Sequence, residues 1–268
     1  MPAFSSAQLA NAADVWDQVG SDIEGLDADD RLGWDVATSA DGSIVAVSSV
    51  RYDNPRSNVG LVQVFEFGSG SWTQLGSNFV GSQENNNFGS SVALSSDGST
   101  LAIGASCSDG SGASSSCSGE VQVFSYSSGS WTQVGSDIEG SAGEGLGFDV
   151  AISSDGTRVA AGAPWADLAG TNDGLVRVYE YSGGSWSQLG SDVNGEASGD
   201  LFGRSVDINS SGSSFVAGGP GNTSDVGHAR VTSCRRAPGH KLAQTLTART
   251  QRKILVTQCR CPAMALVS

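Results

Sequence analysis

The stretch Phe88 to Gly98, F-G-S-S-V-A-L-S-S-D-G, has three counterparts in the chain. They are L-G-W-D-V-A-T-S-A-D-G from Leu32, L-G-F-D-V-A-I-S-S-D-G from Leu146 and F-G-R-S-V-D-I-N-S-S-G from Phe202. Each opens on a short run that reads as a strand and closes on S-D-G, A-D-G or S-S-G. Asp and Gly tolerate positive φ, so that ending is hairpin chemistry. A short apolar run follows, such as Leu101-Ala102-Ile103-Gly104, and then a variable loop. Next comes V-Q-V-F-E-F from Val62, V-Q-V-F-S-Y from Val121 or V-R-V-Y-E-Y from Val176. These alternate with a period of two: Val176 and Val178 face one way, Arg177, Tyr179 and Tyr181 the other. A tryptophan segment closes each unit: S-W-T-Q-L-G-S from Ser71, and its relatives at Trp16, Trp131 and Trp186.

Each unit therefore holds four strand candidates, A to D, repeated every 55 to 59 residues. Such a repeat must be recognised before any other fold assignment. Four-stranded antiparallel units at a fixed period predict an all-β fold, the β-propeller. Valines on one strand face and aromatics on the other suit a blade packed between two neighbours. Three blades are complete, at roughly 33–79, 89–138 and 147–193. A fourth, 202–231, has strands A, B and at most part of C, giving about 3.5 blades. Residues 1–15 precede the repeats, and 16–23 are a spare Trp-strand.

The F-G-x-S-V-A-x-S-x-D-G motif, with Gly162-Ala163-Pro164 later in its unit, resembles the FG-GAP repeat of integrin α-chain heads and many secreted or surface proteins. The likeness covers residues 16–231. Leu32 and Leu146 replace the Phe, and G-A-P is intact only at Gly162; the matching positions read Val47-Ser48-Ser49, Gly104-Ala105-Ser106 and Gly218-Gly219-Pro220. The resemblance implies a propeller of about seven blades, so this chain is expected to be an open arc with apolar faces exposed at its ends. A ladder between residues 16–23 and 226–231 would instead mark a closed four-bladed ring. The resemblance also implies calcium in an acidic loop. Asp27, Asp29 and Asp30 form one oxygen cluster and Asp167, Asn172 and Asp173 another, both short of the family's full ligand spacing. No cofactor is assigned.

Charge is unevenly placed. Residues 1–231 hold seven basic residues, all arginine, against 28 acidic ones, a net of −21. Residues 232–268 hold seven basic residues and no acid. A body this acidic repels phosphate, which excludes nucleic-acid binding. No apolar run reaches the ~18 residues of a membrane helix. The opening MPAFSSAQLANAADVW shows no basic segment followed by an apolar one, so no signal peptide is read there. The body has one histidine, His228, and no lysine. No nucleophile–base–acid set or phosphate-binding loop appears, so no catalytic residue is assigned and the chain is read as a non-enzyme.

After Val231 the repeat stops, and T-S-C-R-R-A-P-G-H-K follows. Joining the third base of each codon to the first two of the next restores it. Thr232, Ser233 and Cys234 then permit Y-E-L. Residues 239–246 permit W-T-Q-V-G-S-D-I, and 255–265 permit F-G-x-S-V-S-L-S-S-D-G. Residues 232–268 thus read as a fifth stretch of repeat translated one nucleotide out of frame. Such a tail is expected to be non-native, to make no stable contact with the blades and to allow helix over 242–256.

Setting the tail aside leaves Cys107 and Cys117, both in the B-to-C loop of the second blade, as a disulfide pair. Asn209 and Asn222 begin N-x-S/T sequons. Both features point to an extracellular or cell-surface setting. The function expected is a binding or adhesion module presenting blade loops to a protein or glycan. The alternatives are a fragment of a carbohydrate-active propeller enzyme, or a truncated product without function.

Overall fold

The computed structural model describes residues 16–53, 57–107, 118–168, 170–221, 226–234 and 244–247. Four antiparallel sheets follow one another along the chain. The first is β1 (Val36–Thr38), β2 (Ile44–Ser49), β3 (Leu61–Gly68), β4 (Ser71–Gln74) and β5 (Phe79–Val80). The second is β6 (Phe88–Leu94), β7 (Thr100–Ala105), β8 (Glu120–Ser127), β9 (Ser130–Gln133) and β10 (Ile138–Glu139). The third is β11 (Val150–Ile152), β12 (Arg158–Ala163), β13 (Leu175–Ser182), β14 (Ser185–Gln188) and β15 (Val193–Asn194). The fourth is β16 (Ser205–Ile208), β17 (Ser214–Gly219), β18 (His228–Ser233) and β19 (Gln244–Thr247).

These are the expected blades, with one refinement. Strand D is broken in two, and both pieces pair with strand C. In the first blade Gln74 pairs with Phe65 and Phe79 with Val62, so residues 75–78 face only 63–64. The bulge turns on Gly76, at φ +81. The next blade locks it. Trp131 Nε1 donates to the Leu75 carbonyl at 2.8 Å, Trp186 Nε1 to that of Val134 at 2.7 Å, and Trp72 Nε1 to that of Val19 at 2.9 Å. A Cβ at Gly76 would stand 2.6 Å from the Trp131 ring. The spacing W-x-x-x-G therefore records a contact between neighbouring blades, not within one. Trp131→Phe keeps a ring there but leaves the Leu75 carbonyl unpaired, and should cost about 1 kcal/mol. Urea unfolding beside Trp131→Ala, which should cost several times more, checks it.

The inner strands are linked in series too. Asp35 accepts from the Val92 amide at 2.7 Å, Ser91 Oγ from the Val150 amide at 3.1 Å, and Asp149 from the Val206 amide. Ser91 also donates to Asp149 Oδ1 at 3.0 Å. Burial pushes the Asp149 carboxyl above its usual range, against these hydrogen bonds. The hydrophobic core is correspondingly segmented. One layer joins Val62, Val64 and Phe79 of the first blade to Phe88 and Leu101 of the second. Similar layers join the second to the third and the third to the fourth.

The array is open among the described residues. No ladder joins 16–23 to 226–231, because β18 pairs with β17 and β19. Residues 16–23 instead lie where a preceding blade's D strand would, holding Trp72 through Val19. The end faces are bare: Val36 is 63% exposed on the first blade and Val231 40% on the fourth.

Two expectations about the tail need correction. β18 runs through Thr232 and Ser233, and β19 adds a fourth strand to the last blade within the stretch read as able to form helix. The physical reason is that an open edge presents unpaired N–H and C=O groups, and backbone pairing there depends little on side-chain identity. The remaining tail residues, 235–243 and 248–268, lie outside the described residues.

Candidate functional site

Antiparallel connectivity puts the A–B and C–D turns on one rim and the B–C and D–A loops on the other. The first rim is stereotyped. Every A–B turn has five residues and every C–D turn of the first three blades has two. In three A–B turns an aspartate organises the hairpin. Asp97 Oδ1 takes Ser95 Oγ at 2.7 Å, the Ser99 amide at 2.9 Å and Ser99 Oγ at 2.7 Å. Asp41 and Asp155 repeat the pattern. The Ser43 amide and the serine hydroxyls hold Asp41 at about 2, and the same kinds of donor lower Asp97 and Asp155. Neighbouring turns are chained: the Ala40 amide donates to Ser96 O, Ser96 to Ser154 O, and Ser154 to Ser210 O. In the fourth blade Ser211 replaces the aspartate, and Asn209 Oδ1 takes the Ser213 and Ser214 amides instead. The sequon residue Asn209 is therefore part of a turn; Asn222 lies outside the described residues.

The second rim varies. Its B–C connections have 11, 14, 11 and 8 residues, whereas a near-constant 7, 6 and 7 residues separate strand D from Phe88, Leu146 and Phe202. The B–C and D–A loops brace each other across the blade boundary: the Asn85 amide donates to Ser57 O, Cys107 to Asn86 O and Gly199 to Thr171 O. Both sequence-predicted oxygen clusters lie on this rim, on the first and third blades, and the structure does not bring them together. Asp30 is buried and caps the Asp27 amide at 2.8 Å; Asp27 and Asp29 are exposed on the same turn. Asp167 takes the Asn172 amide at 2.6 Å and buried Asp173 the Leu168 amide at 2.9 Å. Their oxygens thus cap loop backbone, and no grouping of three or more His, Cys, Asp or Glu among the described residues has a metal-binding arrangement. Cys107 packs its Sγ against Asn86 Oδ1 on this rim. Cys117, its expected partner, lies outside the described residues.

Sequence reading missed the most strongly charged feature near the rim. Arg177 on β13 donates to Glu144 at 2.6 and 2.9 Å and to Asp192 at 3.0 Å through both Nε and Nη2. Burial opposes the charge on all three, but the mutual hydrogen bonds win: both carboxyls fall below their usual range and Arg177 stays protonated. The available signal was Arg177 in the V-x-V slot where Gln63 and Gln122 stand in other blades.

Residues 81–124, through the second blade's first three strands, match the FG-GAP repeat family. The chain carries FG-GAP-type β-propeller repeats. No curated protein matches it. Among solved structures, the periplasmic gluconolactonase of Pseudomonas aeruginosa is 17% identical with a TM-score of 0.50, the match covering 80% of this chain and 56% of that one. Hydrazine synthase of Kuenenia stuttgartiensis is 15% identical with a TM-score of 0.49, covering 80% and 49%. The β-propeller domain of the trilobed protease of Pyrococcus furiosus is 12% identical with a TM-score of 0.43, covering 73% and 53%. These likenesses concern fold alone, and the chain spans about half the length of each of these three structures.

The FG-GAP motif has a direct physical reading in this array. The glycine of one blade's G-A-P position lies against the glycine of the next blade's F-G. A Cβ at Gly104 would stand 2.1 Å from the Gly147 carbonyl oxygen, and one at Gly162 1.9 Å from that of Gly203. Phe88, Leu146 and Phe202, the residues before those glycines, are all buried, so Leu substitutes for Phe without loss of core.

The lowered carboxyls predict an acid limb in stability. A carboxyl whose folded pKa lies below its unfolded value stabilises above the unfolded value, about pH 4, and that stability disappears as pH falls through the folded pKa. Glu144, Asp192, Asp97 and Asp155 all have this sign. His228, kept neutral by burial, adds a loss that begins nearer ~pH 6. Asp149 has the opposite sign and offsets part of the loss, since protonation relieves its burial. The urea midpoint should fall steadily from pH 7 to pH 3, and Asp97→Asn with Asp155→Asn should flatten the lower part.

Proposed function

We propose that the chain is a non-catalytic binding module of a secreted or surface protein, using its variable loop rim to hold a protein or glycan partner. The observation that carries this reading is the contrast between rims. One repeats the same five-residue turns in every blade, while the other changes loop length from blade to blade on a constant support. Binding residues gather on variable loops held by a rigid scaffold. The acidity of the body favours a partner with positive groups at the contact. The longest connection, residues 106–119, carries Cys107 and Cys117; a disulfide between them would stiffen that loop and suit an oxidising compartment.

The test uses the full chain on protein and glycan arrays, with and without calcium. Binding to a defined ligand is expected, lost when residues 106–119 are exchanged for the 164–174 loop. Ligand binding that is indifferent to every rim-loop exchange would contradict the rim, and turnover of a sugar lactone or glycoside would contradict the non-catalytic reading. Peptide mapping without reductant should recover residues 107 and 117 in one cross-linked fragment.

A further inference from the structure

Arg230 on β18 holds the place that Arg177 holds on β13. In the third blade Val176 pairs with Val193, which sets Arg177 opposite Asp192. In the fourth blade Ala229 pairs with Leu246 and Arg230 with Thr245. The separation from strand C to strand D is the same 17 residues in both blades. The residue paired across the ladder differs: threonine holds the register position that aspartate holds in the third blade.

The consequence is visible on the guanidinium. Arg230 is 1% exposed. It donates from Nη1 to the Asn194 carbonyl at 2.7 Å and from Nη2 to Glu196 at 2.9 Å, over the Phe202 ring. Its Nε has no hydrogen-bond partner, whereas Arg177 Nε donates to Asp192. One step along the same strand face is a second misfit. Thr232 stands at the position of Phe65, Phe124 and Tyr179, is 2% exposed, and leaves its Oγ1 unpartnered. Of the seven buried side-chain polar atoms without a partner among the described residues, four belong to His228, Arg230 and Thr232 of this blade and a fifth to Asp200 in the loop that leads into it. Unsatisfied buried groups are few in native folds, and their concentration in one blade calls for a cause.

The genetic code supplies one. Glutamine codons end in A or G and threonine codons begin AC. In the shifted frame the triplet spanning Gln244 and Thr245 is therefore AAC or GAC, asparagine or aspartate and nothing else. The other blades carry Asn78, Asp137 and Asp192 at this position. At 232 the shifted triplet is any base followed by AC, which admits the tyrosine seen at 179. Codon composition is independent of the strand register and of the unpartnered atoms Arg230 Nε and Thr232 Oγ1. The two meet on the same two residues.

We infer that position 245 is a carboxylate position: the fourth blade is completed by an aspartate there, accepting from Arg230 Nε, and Thr245 is a product of the slipped frame. The test is Thr245→Asp in the full chain, alone and with Arg230→Gln. With Arg230 present, Thr245→Asp should shift the unfolding equilibrium toward the folded state about tenfold, the scale of a hydrogen bond to a charged group. Amide exchange of the β18–β19 ladder should slow in parallel. With Arg230→Gln the gain should vanish. An equal gain in both backgrounds would mean only that an acid suits a basic tail, and no gain would mean that β19 does not stand opposite Arg230; either overturns the proposal. A second arm removes dependence on one variant: the chain re-expressed in the shifted frame from codon 232 should be more resistant to urea than the present chain, and a less resistant product would equally overturn it.

Discussion

Gly162→Val should be among the most damaging single changes available in the body, lowering stability by about 4 kcal/mol. A Cβ at this position would lie 1.9 Å from the Gly203 carbonyl oxygen, and that oxygen belongs to the backbone of the next blade. It cannot rotate away as a side chain can. The third and fourth blades would have to separate, opening the layer that holds Val176, Phe202 and Val206. Gly68→Val is the matched control: it is also a strand glycine, but nothing lies within 4 Å of its added Cβ, and the change should stay within about 0.5 kcal/mol. Urea titration of both variants followed by circular dichroism measures the difference. Equal midpoints would mean that the glycine-to-glycine approach does not set the distance between blades.

Arg177→Met should cost about 3–5 kcal/mol, because it leaves Glu144 and Asp192 facing each other with no cation between them. The variant should regain stability in acid, where the two carboxyls become neutral. Its pH profile should therefore slope less steeply below about pH 5 than the parent's. Converting both acids as well, in Arg177→Met/Glu144→Gln/Asp192→Asn, should recover most of the loss, since a charge cluster replaced as a whole removes its desolvation cost with its attraction. A triple variant no better than the single would show that the arginine acts through packing of its stem and not through the ion pairs.

Much of the variable rim was hidden from a reading of motifs for a definable reason. Asp27, Asp29, Asp30, Asp167, Asn172 and Asp173 look like cation ligands because the sequence shows their oxygens but not the amides those oxygens meet. Once the loops fold, the Asn172 amide lies 2.6 Å from Asp167 and the Leu168 amide 2.9 Å from Asp173. The Arg177 network was hidden because its members come from three separate elements: a strand, a D-strand bulge and a loop 33 residues away. Trp131, by contrast, announced itself through repetition, although its partner on the neighbouring blade did not.

What the sequence determined by itself is what local chemistry repeats. Alternating apolar residues specify strands, S-D-G specifies the A–B hairpin, and recurrence of the whole unit specifies a blade, because each of these depends on residues close together in the chain. The reading of the tail as out of frame rests on the same kind of signal, a pattern interrupted at Val231 and resumed in another frame. Tertiary structure alone decided how one blade meets the next. The bulge at Gly76 closes only under Trp131, Gly162 matters only against Gly203, and Arg230 and Thr245 come into register only through the β18–β19 ladder. It also decided that a tail with no repeat pattern in its own frame still adds a strand. Edge pairing joins backbone groups that every residue but proline carries, whereas contacts between blades are made by particular side chains brought together from more than 50 residues apart.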